Sequence, residues 1–185
     1  LYDATLERTF LCRAAQLTRE AVIQYYDPEH GGFYLSGTDN ETLLFRPKEC
    51  YDGALPSGNS LIAYVLVRLN ALLPDQSTEN ILNKQLAYMA GEAEQSPAGF
   101  SMFLMALSDF LEPPVLITAV PNGEDLSGLP FVLPSDAIVK VLDRPSEEYK
   151  LLNNEATFYV CRNQSCLPPM NKRQLMTEIL KRDKI

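Results

Sequence analysis

The chain has no tryptophan, one histidine and four cysteines among 185 residues. Each scarcity excludes something. A single histidine, His30, leaves no His-rich metal site and no histidine acid–base pair within the chain. Cys12, Cys50, Cys161 and Cys166 are too few and too scattered to form a disulfide scaffold in a chain this long. Long apolar runs are missing too. The longest, Leu61 to Val67, stops at Arg68, far short of the ~20 residues that span a bilayer. Basic side chains are outnumbered, 16 Lys and Arg against 24 Asp and Glu, for a net charge of -8. That balance argues against a nucleic-acid or anionic-membrane partner, because phosphate contacts need clustered cations. The chain opens Leu1-Tyr2-Asp3 with no initial Met and no signal-like segment, so a piece of a longer protein is expected, and the few scattered cysteines make a reducing cytoplasm the expected compartment.

What is present is a globular composition, with 46% hydrophobic residues. Leu6, Phe10, Ala14, Leu17 and Ala21 recur at helical spacing, which predicts an amphipathic helix ending before Asp27-Pro28. Gly31 to Leu35 and Thr42 to Phe45, around a polar turn, predict a small β-hairpin. Ser57 is the expected N-cap of a nearly all-apolar helix that Pro74-Asp75 ends. An amphipathic helix begins near Ser77. Ser96-Pro97 opens a further apolar helix, Phe100 to Leu111, which Pro113-Pro114 stops. The order is outer, inner, outer, inner, as in stacked helical hairpins.

After Pro114 the pattern changes. Three short strands are expected at Val115–Val120, Ala137–Leu142 and Ala156–Cys161, then an amphipathic basic helix from Asn171 to Lys184. The expected fold class is mainly α: a partial α/α toroid over residues 1–114 and a small α/β tail over residues 115–185, docked on it.

Several runs stand out. They are Asp27 through Tyr34 with its Gly31-Gly32-Phe33-Tyr34, then Arg46-Pro47-Lys48-Glu49, then Tyr51-Asp52-Gly53-Ala54-Leu55-Pro56-Ser57-Gly58-Asn59-Ser60, and finally Val160-Cys161-Arg162-Asn163 and Cys166-Leu167-Pro168-Pro169. Together they resemble the spermatogenesis-associated, thioredoxin-domain-containing proteins. The resemblance implies an N-terminal thioredoxin-like domain followed by an α/α toroid similar to those of N-acylglucosamine 2-epimerase and the six-hairpin glycosidases. It would make this chain the C-terminal part of such a protein, with Leu1 to Thr5 the last turn of a truncated inner helix.

The segment from Arg46 to Asn59 is the candidate site. It brings charge and hydrogen-bonding groups to a helix N-terminus, where free N–H groups and a partial positive charge favour polar ligands. Asp52 and Glu49 are the weak catalytic candidates, because glycoside chemistry needs two carboxylates. Arg46, Tyr51, Ser57 and Asn59 are the ligand-binding candidates, and the resemblance implies that Asp52 and Asn59 face a central cavity. The alternative is capping by Ser57, tight backbone at Gly53 and Gly58, and an Arg46–Glu49 ion pair. His30 reads as a solvated turn residue. Cys161 and Cys166 read as two reduced thiols, with a loop disulfide or a half metal site as the other options. No cofactor and no metal is expected.

The whole protein is expected to bind or process a carbohydrate-like small molecule, glycosidase- or epimerase-like, with this segment alone inactive. The competing readings are a non-catalytic scaffold or interaction module and a redox accessory to a thioredoxin-like domain. Two nearly all-apolar helices predict a homo-oligomer formed through the truncated apolar face.

Overall fold

A computed structural model describes the chain apart from residues 41–44, 135–136, 163–164 and 183–185. Its helices are α1 (Tyr2–Thr5), α2 (Arg8–Tyr25), α3 (Gly58–Leu72), α4 (Gln76–Ala93), α5 (Ser101–Leu111) and α6 (Lys172–Arg182). Its strands are β1 (Leu116–Val120), β2 (Ile138–Val141), β3 (Thr157–Arg162), β4 (Ser165–Cys166) and β5 (Met170–Asn171). The chain is mainly α-helical, a partial α/α toroid with a small α/β tail. It divides into two compact units: Cys12–Glu112 form one, and Leu1–Leu11 with Pro113–Ile185 form the other.

In the helical unit α3 packs against both α4 and α5. The core collects Ala63, Leu66 and Val67 of α3, Leu82, Leu86 and Met89 of α4, Phe103 and Ala106 of α5, and Phe33 from the loop after α2. The apolar sequence of α3 is buried along most of its length, as a helix apolar all round should be. The equally apolar α5 behaves differently. It buries Phe103 and Ala106 but exposes Met105 (58%) and Leu111 (67%). On α2 the expected stripe is shifted, because Leu17 is 48% exposed while Thr18 is buried. The Thr18 hydroxyl donates to the Ala14 carbonyl, so its polar group is satisfied within the helix and the residue can turn inward.

Of the two later helix starts, the first falls near Ser77 as expected and the second does not. Helix α4 starts at Gln76, one residue ahead of Ser77, with Asp75 accepting the Thr78 N–H. Residues Pro97–Gly99 form a 3-10 turn, Ser96 makes no side-chain cap, and α5 begins only at Ser101. In the first run of the expected hairpin, Phe33 forms a single antiparallel bridge with Tyr26, which lies before both runs. The second run, Thr42 to Leu44, lies outside the described residues.

In the α/β unit the sheet order is β2-β1-β3-β4, with β5 also pairing β3. β1 and β2 are parallel, and the other pairings among the described residues are antiparallel. Ile117, Ala119, Val139, Phe158, Val160 and Met170 form its core with Leu175 of α6. Leu6 joins this core, and the Tyr2 hydroxyl donates to the Val139 carbonyl at 2.9 Å. Leu1 to Thr5 therefore serve the sheet here: a single turn, closed by Leu6 in the left-handed region at φ 58°.

Candidate functional site

The backbone from Cys50 to Ser60 brings most of the candidate residues to the entrances of two helices. Ser57 caps α3: its hydroxyl accepts the Ser60 N–H at 3.1 Å and donates to the Cys50 carbonyl at 3.0 Å. Asp52 works over a longer range. One carboxylate oxygen accepts the Ser57 N–H at 2.8 Å, and the other accepts the Met102 N–H at 2.9 Å in the first turn of α5, with Phe103 at 3.5 Å. A single carboxylate thus ties together two helix N-termini, where orphan N–H groups and the helix dipole both favour an anion. Burial pushes the Asp52 carboxyl up. The N–H groups of Ser57, Met102 and Phe103 and the Ser60 hydroxyl outweigh it and hold it below the ordinary carboxylate value.

Asn59 is 2% exposed. Its Nδ2 donates to the carbonyls of Phe33 at 2.9 Å and Glu49 at 2.8 Å, while its Oδ1 accepts from the Phe33 N–H at 2.7 Å and from Gln85 Nε2 at 3.1 Å. An amide offers two donors and two acceptor sites, and here all four are used within the protein. Gln85, fully buried on α4, also donates to the Asn59 carbonyl. Its Oε1 has no hydrogen-bond partner among the described residues.

A third cluster was not singled out as a site from sequence. Asp27, buried after α2, accepts from Lys48 at 2.8 Å, from the Tyr34 hydroxyl at 2.7 Å and from the N–H groups of Glu29 and His30. Burial raises its carboxyl and these donors, led by Lys48, more than reverse that, so it lies far below the ordinary value. The Lys48 ammonium also donates to the Gly31 carbonyl and lies 4.8 Å from the Tyr34 ring centroid and 4.6 Å from that of Tyr88. Gly31, at φ +76°, is pressed so closely on α4 that a Cβ there would come within 2.7 Å of the Lys84 carbonyl oxygen. The sequence signal was the Asp-x-x-x-Gly-Gly spacing: an acid whose side chain caps the turn that the glycines make possible.

The remaining candidates have separate roles. Arg46 stacks 4.1 Å from the Tyr34 ring centroid and donates to the carbonyls of Ser36 at 2.6 Å and Gln24 at 3.5 Å. The expected Arg46–Glu49 ion pair does not occur among the described residues, because the guanidinium is aimed at backbone carbonyls instead. Tyr51 lies 62% exposed against Gly99 and edge-on to Phe100. His30 is exposed, with Nδ1 3.4 Å from Asp27. Glu49 and Asn59 line a cavity of about 290 Å³ with Tyr25, Phe33, Tyr34 and Leu35, and Asp52 is not part of its wall. A second groove of about 530 Å³, between α2, α3 and α4, holds none of the candidates. The two candidate carboxylates therefore serve different places, one a cavity and one a pair of helix starts.

The expectation of reduced thiols at Cys161 and Cys166 is corrected, because the two are joined in a disulfide. The strand register sets them directly opposite each other on β3 and β4. Cys12 and Cys50 are free. No group of three or more metal-ligating side chains occurs among the described residues. No helix among them is long and apolar enough to cross a membrane.

No protein-family model matches the chain. Among curated proteins it is similar to Spermatogenesis-associated protein 20 of Homo sapiens, 24% identical over 188 residues. It is similar also to the Rattus norvegicus protein of that name, 25% identical over 191 residues, and to that of Mus musculus, 23% identical over 188. Each match covers 92% of this chain and 24% of the relative, so the chain spans about a quarter of the length of the relatives it matches.

Proposed function

We propose that the helical unit is a structural sector of a larger α/α toroid, and that its conspicuous polar motif assembles helix entrances instead of performing chemistry. The observation that carries this reading is the saturation of Asn59, together with the use of both Asp52 oxygens by backbone N–H groups of α3 and α5. A carboxylate held ionised by helix N-termini is a poor proton donor, and an amide with four internal partners has no capacity left for a ligand. On this reading the chain is the C-terminal part of a cytoplasmic protein of the type it resembles, inactive alone and serving as a scaffold or interaction module. The exposed apolar side of α5, at Leu104, Met105 and Leu111, supplies the face for the self-association expected from sequence.

The cavity beside Asn59 favours a second reading, in which the whole protein binds a carbohydrate-like small molecule there. Tyr25 and Tyr34 offer aromatic surface and Glu49 offers an exposed acceptor, the kind of mixed lining that small-molecule sites use. Titrating a panel of sugars into the labelled chain, followed by backbone NMR shifts, separates the two. The scaffold reading expects no saturable shift at Tyr34, Glu49 or Leu61. A saturable shift there, abolished by Glu49→Ala, would establish the ligand reading.

A further inference from the structure

We propose that the Cys161–Cys166 disulfide is a thiol–disulfide exchange site, attacked at the Cys166 sulfur by a protein dithiol. Two observations converge on it. The first is what the bond holds. Cys161 and Cys166 are five apart in sequence and face each other across β3 and β4. The β3 strand is already paired with β1 from Thr157 to Cys161 and with β5 at its start. The Leu167 N–H donates to the Val160 carbonyl at 2.9 Å and closes the base of the hairpin. The bond therefore joins no distant elements, and its removal leaves the sheet intact.

The second observation is access. Cys166, Ser165 and Arg162 are exposed, while Cys161 is half-buried. β4 is also the last strand on its side of the sheet, so its outer backbone groups are open to an incoming chain. An open cleft of about 590 Å³ begins at the very next residue, Leu167, and continues along Pro168, Pro169 and Arg173. The other two cysteines lack this setting. Cys50 is buried with its thiol pushed up by that burial, and Cys12 stands alone.

The exchange balances as written. The partner's thiolate forms a bond to the Cys166 sulfur while the Cys161–Cys166 bond breaks, and Cys161 leaves with the electron pair and takes a proton from water. The partner's second thiolate then attacks its own sulfur in the mixed disulfide and releases Cys166. The hairpin gains two electrons and two protons, and the partner dithiol becomes a disulfide.

The test uses the full chain in its oxidised form, carrying Cys12→Ser to remove the exposed free thiol. The probe is a Cys-x-x-Cys oxidoreductase whose second cysteine is replaced by serine, so that the mixed disulfide is trapped. Trypsin cleaves after Arg162 and separates the two cysteines. The expected result is a covalent adduct on the peptide that holds Cys166, with Cys161 released to alkylation, formed without loss of far-UV dichroism. An adduct on Cys161, reduction seen only once the chain unfolds, or two free thiols in the purified air-exposed protein would each overturn the proposal.

Discussion

The two units place their conspicuous residues in opposite ways. In the helical unit, the charged and amide groups that look most like chemistry are drawn inside and given to the backbone: Asp52 to two helix starts, Asn59 to Phe33 and Glu49, and Asp27 to the Gly31–Gly32 turn. In the α/β unit, a covalent bond between side chains is left at the outer strand of the sheet with Cys166 exposed. The difference teaches that a dense polar motif at a helix entrance can be consumed by architecture. A low-dielectric interior makes every unpaired N–H costly, and a carboxylate or amide is the cheapest remedy. Reactivity needs an open approach, and the disulfide on the outer strand has one.

The sharpest way to break this contrast is Asn59→Ala. It leaves the Phe33 N–H and carbonyl and the Glu49 carbonyl without their side-chain partner, and leaves Gln85 Nε2 only the residue 59 backbone carbonyl, so urea unfolding should show a loss of about 3–4 kcal/mol. Asp52→Ala should follow at about 2–3 kcal/mol, because it uncaps α5 and strips an acceptor from Ser57. Amide exchange should then speed up first at Met102 and Phe103, the residues it caps from outside their helix. Reduction of the Cys161–Cys166 bond should cost no more than about 2 kcal/mol, the chain-entropy value for so short a loop. Calorimetry with and without reductant measures that difference.

The acid side gives a smaller effect of defined sign. Asp27 and Asp52 are both held below their ordinary value, near 3.9 in an unfolded chain. The unfolded state therefore binds more protons in acid. The stability these groups supply is complete above about pH 4 and is lost as pH falls through their folded values. Asp27→Asn should be less stable than the wild type at neutral pH, and urea midpoints should converge as the pH drops below about 4. The smallest effect concerns α5: if its exposed side is the proposed self-association face, Met105→Glu should leave folding intact and lower the mass seen by light scattering relative to the wild type.

Much of the fold was legible because it rests on local signals. The apolar run of α3 with Ser57 ahead of it, the stop before Asp27-Pro28, and the three β-rich segments after Pro114 all state their structure within a few residues. What stayed hidden depends on distance in space. Asp52 caps a helix 50 residues further along the chain, so the nearer Ser96 looked like the cap. Gln85 sits among the polar residues of an amphipathic helix, and only the fold turns it inward to Asn59. β4 and β5 are two residues each, too short for any alternation to appear. The disulfide follows from strand register alone. Of the site candidates, Ser57 was readable as a cap from its position, whereas the saturation of Asn59 required knowing where Phe33, Glu49 and Gln85 converge.

The most direct measurement of the central claim is the unfolding free energy of Asn59→Ala, taken alongside the sugar titration on the same protein. The account predicts a loss of about 3–4 kcal/mol and no saturable ligand response in wild type or variant. A variant as stable as the wild type that loses a sugar response which the wild type displays would contradict it, and would make Asn59 a ligand contact instead of a keystone of the helix entrance.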